Sequence, residues 1–154
     1  MIKKMIPEFG VKNSQEAIEF YKKVLKVKVM KMVIGNSSGV PASLHRIDSK
    51  NNKAIADSLL KLGNDYFKIY EWNDKFDGPY DEKIIKSFNF HLQFSLEKDA
   101  QNLWNNFLKY EKTSEIIKFH KTNVGDFWFM FGIIQDPYHI KWTFTYYPDS
   151  NEIH

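Results

Sequence analysis

The sequence contains no cysteine. Disulfides, thiolate metal sites, iron–sulfur clusters and a cysteine nucleophile are therefore excluded, and a cytoplasmic setting is expected. Arginine is nearly missing as well. Arg46 is the only one, and the net charge of +3 comes from lysines scattered along the chain. Nucleic-acid readers lean on arginine forks and clustered basic faces, so no nucleic-acid partner is expected. No apolar run approaches the roughly 20 residues of a membrane span. Met1 to Glu8 lacks the apolar segment of a secretory signal. The expectation is a protein with no membrane partner.

Apolar residues, at 43% with 16% aromatic, are ample for a folded core. Ile2 to Val11 reads as a strand interrupted at Pro7, which cannot donate to a ladder. Ser14 looks like the cap of a helix whose apolar stripe is Ala17, Phe20, Tyr21, Val24 and Leu25. Val27 to Ile34 alternates as a strand. Gly39 to Asn52 reads as a loop with room for a short helical turn. Ala54 to Leu62 and Tyr66 to Trp72 form a hairpin around Gly63-Asn64-Asp65, and Asn73 to Tyr80 reads as a linker with a turn at Asp77-Gly78.

The order then recurs. Ser87 to Leu96 is a strand, and Asp99 to Tyr110 a helix with Leu103, Trp104, Phe107 and Leu108 on its stripe. Ile116 to Asn123, Phe127 to Gln135 and Ile140 to Tyr147 are three more strands. A shift of 83 positions lays the first strand–helix unit on the second. Phe9 falls on Leu92, Ala17 on Ala100, Tyr21 on Trp104 and Leu25 on Leu108, as expected of a duplicated unit.

Ile6-Pro7-Glu8-Phe9 followed by Glu16-Ala17-Ile18-Glu19-Phe20-Tyr21-Lys22 resembles the opening of the PhnB-like branch of the vicinal-oxygen-chelate (glyoxalase/bleomycin resistance/dioxygenase) superfamily. Ala56 to Gly63 resembles a later strand of that branch. Gly132 with Asp136-Pro137-Tyr138-His139-Ile140-Lys141-Trp142 resembles its closing motif, with His139 where the family usually has glycine. The resemblance spans nearly the whole chain. It implies an α+β fold of two tandem βαβββ modules, residues 1–76 and 84–148, forming a curved, partly open mixed β-sheet around a cleft.

Within the fifth strand, Phe88, Phe90, Leu92, Phe94 and Leu96 share one face, and Asn89, His91, Gln93 and Ser95 the other. The apolar face should pack on helices, leaving His91 and Gln93 for a ligand-binding cleft. His91 to Glu97 resembles a superfamily stretch whose histidine binds metal. The 83-residue shift carries His91 back to Glu8. The family draws ligands from the first and last strands of each half, which implies Glu71 as the first-half partner and Thr143 in the second half. Glu8, Glu71 and His91 are thus the candidate divalent-metal ligands, although Thr143 would be a poor fourth and no cofactor is the favoured expectation. Glu8, Thr143, Trp128 and Met130 join His91 and Gln93 as candidate cleft residues. Phe127, Phe129 and Phe131 then pack inward, the reverse being the alternative.

Three function classes follow from the resemblance: a small-molecule binder without a complete metal site, which is favoured; a metal-dependent lyase, isomerase or dioxygenase; and a structural module with a vestigial cleft. Open sheet edges and aromatic surface point to a homodimer.

Overall fold

The computed structural model describes residues 1–85 and 88–148. The chain divides into two compact units at Tyr80/Asp81. The first holds β1 (Glu8–Val11), α1 (Ser14–Val24), β2 (Lys28–Ile34), β3 (Ile55–Leu62), β4 (Asp65–Glu71) and a single helical turn, α2 (Asp74–Asp77). The second holds another short turn, α3 (Glu82–Ile85), then β5 (Asn89–Phe94), α4 (Glu97–Leu108), β6 (Ser114–Val124), β7 (Phe127–Gln135) and β8 (Lys141–Tyr146).

Each unit builds one four-stranded mixed sheet of the same topology, β1-β4-β3-β2 and β5-β8-β7-β6. The first strand lies parallel to the last, and every other pair is antiparallel. This is a tandem βαβββ fold, as the sequence pattern implies. The helices begin at Ser14 and Glu97, 83 positions apart.

Helical spacing of apolar side chains decides which face of each helix is buried. In α1 these are Ala17, Ile18, Phe20, Tyr21 and Val24. They meet the apolar alternation of β1 and β4, where Phe9 stacks on Phe67 at 6.0 Å and Tyr21 meets Phe67 edge-on at 6.1 Å. In α4 the buried stripe narrows to Ala100, Trp104 and Phe107, and Leu108 is exposed. Trp104 stacks on Phe119 at 5.5 Å and meets Phe144 edge-on at 5.1 Å. That contact needs Gly132, because a Cβ there would lie 2.8 Å from the Phe119 backbone and 2.9 Å from the Trp104 ring.

Several boundaries differ from the sequence pattern, each for a local reason. β1 starts only at Glu8. Pro7 has no N–H to give, and its carbonyl instead accepts from the Lys68 N–H at 2.9 Å. Ser14 is the first helical residue rather than the cap. Asn13 occupies the cap position at φ 59°, without a side-chain bond. The 73–80 linker contains α2, begun by the Asn73 side chain accepting from the Lys75 N–H. Ser87, expected in the fifth strand, lies outside the described residues. The loop after β2 holds two 3₁₀ turns, Ala42–Leu44 and Ser49–Asn51. It is pinned by reciprocal bonds between the Asn36 side chain and the Ile47 backbone. It is pinned again by Arg46, which pairs with Asp77 at 2.6 Å and sits over the rings of Tyr70 and Phe76.

Candidate functional site

One face of the second sheet is occupied by α4. Trp142, Phe144 and Ile134 are buried there, and Phe90, Leu92 and Phe94 are half-buried. Strand alternation sends Asn89, His91 and Gln93 to the opposite face, where all three are exposed. They sit beside two buried threonines of β8. The Asn89 amide donates to Thr143 Oγ1 at 2.7 Å, and His91 Nε2 bonds to Thr145 Oγ1 at 2.7 Å.

The register carries this face across the sheet. Thr145 stands opposite Phe131 and Thr143 opposite Ile133. On β6, His120 stands opposite Phe131 and Thr122 opposite Phe129. Phe127, Phe129 and Tyr147 pack together with centroids 5.6–6.1 Å apart, and Phe129 continues to Phe131 at 6.5 Å. The result is a polar row headed by His91, bordered by an aromatic platform. The neutral imidazole of His120 has one compatible arrangement. Nδ1–H donates to the Lys118 carbonyl at 2.7 Å, and Nε2 accepts from the Thr122 hydroxyl at 3.1 Å.

Trp128 and Met130 do not belong to this face. Met130 pairs with Tyr146, one residue out of phase with Thr145, so both project to the side that carries α4. Trp128 meets Tyr146 there and receives Lys121 over its ring at 4.3 Å. The reverse alternation holds: Phe127, Phe129 and Phe131 share the face of His91.

The corresponding face of the first sheet carries charge. Glu8 pairs in register with Lys68 on β4. Lys68 reaches Asp57 of β3 at 2.6 Å, and Lys31 of β2 reaches the same carboxylate at 3.1 Å. Burial alone would raise the Asp57 pKa. The hydrogen bonds and charges of the two lysines outweigh it and hold the carboxyl below its ordinary value. Farther along β4, burial pushes the Tyr70 phenol up. The Asp77 charge adds to the rise, Arg46 opposes it, and Glu8 adds a smaller increment.

Glu71 lies on the other side of β4, in phase with the buried Phe67 and Ile69. Its carboxylate accepts from the Ser14 N–H at 2.7 Å and the Asn13 N–H at 3.2 Å, capping α1 from outside the helix. Ser14 turns its own hydroxyl away, to accept from the Ile55 N–H at 2.9 Å. A polar recess of about 190 Å³ opens at this helix end, lined by Asn13, Ser14, Gln15, Glu16, Asn51, Ala54 and Glu71.

Within the first unit, Glu8 and Glu71 thus lie on opposite faces of the sheet. Thr143 pairs with His91, so its first-unit counterpart is the residue paired with Glu8, which is Lys68, a cation, and not Glu71. Glu71 is three residues farther along, on the opposite face, and is already bonded. Within either unit, among the described residues, no three His, Asp or Glu side chains gather in a metal-holding group.

By sequence, the chain matches no protein-family model and no curated protein. Its fold matches many solved structures. A Pseudomonas aeruginosa protein superimposes with a TM-score of 0.71 at 19% identity, over 96% of this chain and 100% of the other. A PhnB protein from Bacillus cereus gives 0.68 at 10% identity, over 94% and 99%. A glyoxalase/bleomycin resistance protein/dioxygenase from Alicyclobacillus acidocaldarius gives 0.56 at 14% identity, over 99% and 100%. The fold is that of the glyoxalase/bleomycin-resistance class, the vicinal-oxygen-chelate fold that the motifs resemble. No helix among the described residues is long and apolar enough to cross a membrane.

Proposed function

We propose that this chain is a small-molecule-binding protein of the glyoxalase/bleomycin-resistance type, acting without a complete catalytic metal site. The observation that carries the reading is the face of the second sheet away from α4. There the exposed His91 is held to Thr145, and Thr145 stands opposite Phe131, which continues the Phe127–Phe129–Tyr147 platform. Aromatic surface supplies stacking area, and a few fixed polar groups orient what stacks on it. The position that would complete a metal set in the first unit is Lys68, bound to Asp57, which supports binding rather than metal-assisted chemistry.

The proposal includes a cytoplasmic homodimer. Cysteine is absent, and β2 and β6 are sheet edges that expose Met30, Met32, Ile34, Ile116 and Val124. Light scattering at micromolar concentration should return twice the chain mass, and a monomer there would overturn this part.

The binding reading is tested by thermal-shift screening of planar aromatic metabolites alongside elemental analysis of protein purified without added metal. Stabilising hits that His91→Ala and Phe131→Ala weaken, with no stoichiometric transition metal, are the expected result. A stoichiometric divalent metal lost in His91→Ala would replace this reading with the metal-dependent enzyme. No hit and no metal would favour a structural module.

A further inference from the structure

The second sheet's open face differs from the first in charge. Among the residues that the register assigns to it, none is an aspartate or glutamate. Of the carboxylates adjacent in sequence to these residues, Glu115 projects to the α4 side, where it accepts from Trp104 Nε1 at 3.1 Å, Asp136 is buried and accepts from Trp142 Nε1 at 2.9 Å, and Asp126 lies in the β6–β7 turn. The chargeable groups that remain are Lys141, His91 and His120. Lys141 is half-buried and stands between Asn89 and Gln135. By contrast, the equivalent face of the first sheet carries Glu8 and Asp57, with Asp57 bound by two lysines.

From this distribution we infer that the face takes a planar aromatic carboxylate, its ring on Phe129 and Phe131 and its carboxylate toward His91 and Lys141. The inference rests on the binding reading above and specifies its ligand class. A cationic group, alone or in a zwitterion, would meet no counter-charge here. A neutral ligand would leave Lys141 without use. A monoanion with an aromatic body finds donors at one end of the sheet and stacking area at the other. The spacing suits a fused bicyclic acid. Cross-strand neighbours lie about 5 Å apart and residues two along a strand about 7 Å. A carboxylate near His91 therefore places its ring over Phe131, and a second ring reaches Phe129.

The experiment compares three probes of one size: 1-naphthoate, 1-naphthamide and 1-naphthylmethylammonium. Isothermal titration is run on the full chain and on Lys141→Gln, His91→Gln and Lys121→Gln. Lys121 lies on the α4 side over Trp128, so its removal changes net charge without touching the face. The carboxylate should bind about tenfold more tightly than the amide, in keeping with a charge-assisted bond. Lys141→Gln and His91→Gln should each erase most of that preference, and Lys121→Gln should keep it. Equal binding of amide and carboxylate, or tighter binding of the ammonium probe, would overturn the anion preference while leaving the binding reading intact. An equal loss in Lys121→Gln would also overturn it, since bulk charge would then be the cause. No binding of any probe, while other aromatic compounds still raise the melting temperature, would overturn the ligand class. No binding of any aromatic compound would overturn both.

Discussion

His139 holds φ at +70°, the left-handed region where a side chain crowds the following carbonyl. It does so at the end of the Asp136–His139 turn, where the resembling family has glycine. The turn is kept by Asp136, fully buried, whose carboxylate accepts from the N–H groups of Tyr138 and Ile140 and from Trp142 Nε1. The His139 side chain gains a 3.3 Å contact with the exposed Glu82 and a long 3.4 Å bond with the Gln135 amide, both worth little where they meet water. His139→Gly should therefore raise unfolding free energy by about 0.5–1 kcal/mol, read as a higher urea midpoint with unchanged slope. Asp57 shows the opposite case, a side chain improved by its surroundings. Its folded pKa lies below the unfolded value near 3.8. The stability this supplies is present above the unfolded pKa and fades as pH falls through the folded one. The gap in stability between wild type and Asp57→Asn should thus be widest near neutrality and shrink as pH falls through and below the usual carboxylate range, and a gap that widens in acid would contradict the assignment. The sequence makes some of these residues legible and not others. Asn89, His91 and Gln93 could be placed because their strand alternates cleanly. Trp128 and Met130 could not, because β7 is apolar on both faces and only its pairing with β8 decides between them.

At the scale of elements, the end of β4 and the start of α1 act as one piece. Glu71 supplies the cap that neither Asn13 nor Ser14 provides. Glu71→Ala should cost about 1–2 kcal/mol by leaving two backbone N–H groups poorly satisfied, with slower-exchanging amides lost first in the first turn of α1. Divalent-metal content should not change. If the substitution instead left stability intact and removed a bound metal, the capping role would be wrong. The helices themselves were legible from their apolar spacing, and the 83-position offset read from their matched residues is also the spacing of their observed starts, although the second helix begins at Glu97 rather than Asp99. The offset fails beyond them. Lys68 and Thr143, the residues paired with Glu8 and His91, are only 75 positions apart. The first unit carries a longer connection, through the 3₁₀ turns after β2, and nothing in residue type announces where such an insertion shifts the register. That is why Glu71 was matched to Thr143 when Lys68 occupies the place.

At the scale of the whole molecule, each unit owns a sheet, a helix and an apolar core of its own. A protease site inserted between Tyr80 and Asp81, cut after purification and followed by separation of the pieces, should yield a first fragment that keeps fixed aromatic signals in near-ultraviolet dichroism and unfolds cooperatively in urea. A fragment without a cooperative transition would show that its core is incomplete alone. The tandem architecture was readable from the repeated strand–helix order together with the ordered motifs, since one offset between two amphipathic units can arise by chance. The parallel closure of each sheet has one more consequence, for synthesis. β1 leaves the ribosome early but pairs only with β4, and the Glu8–Lys68 register spans almost the whole first unit. The nascent β1 must wait, unpaired, through the emergence of a helix and two strands before its ladder can form. The hairpins of β2, β3 and β4 involve near neighbours and can assemble first. Docking of β1 is then the late, loop-closing step, and it can be complete before β5 has cleared the exit tunnel. A translation pause timed for when β4 has left the tunnel and β5 has not should accordingly raise the yield of folded chain, whereas a pause while β4 is still inside the tunnel would prolong the exposure of the unpaired β1.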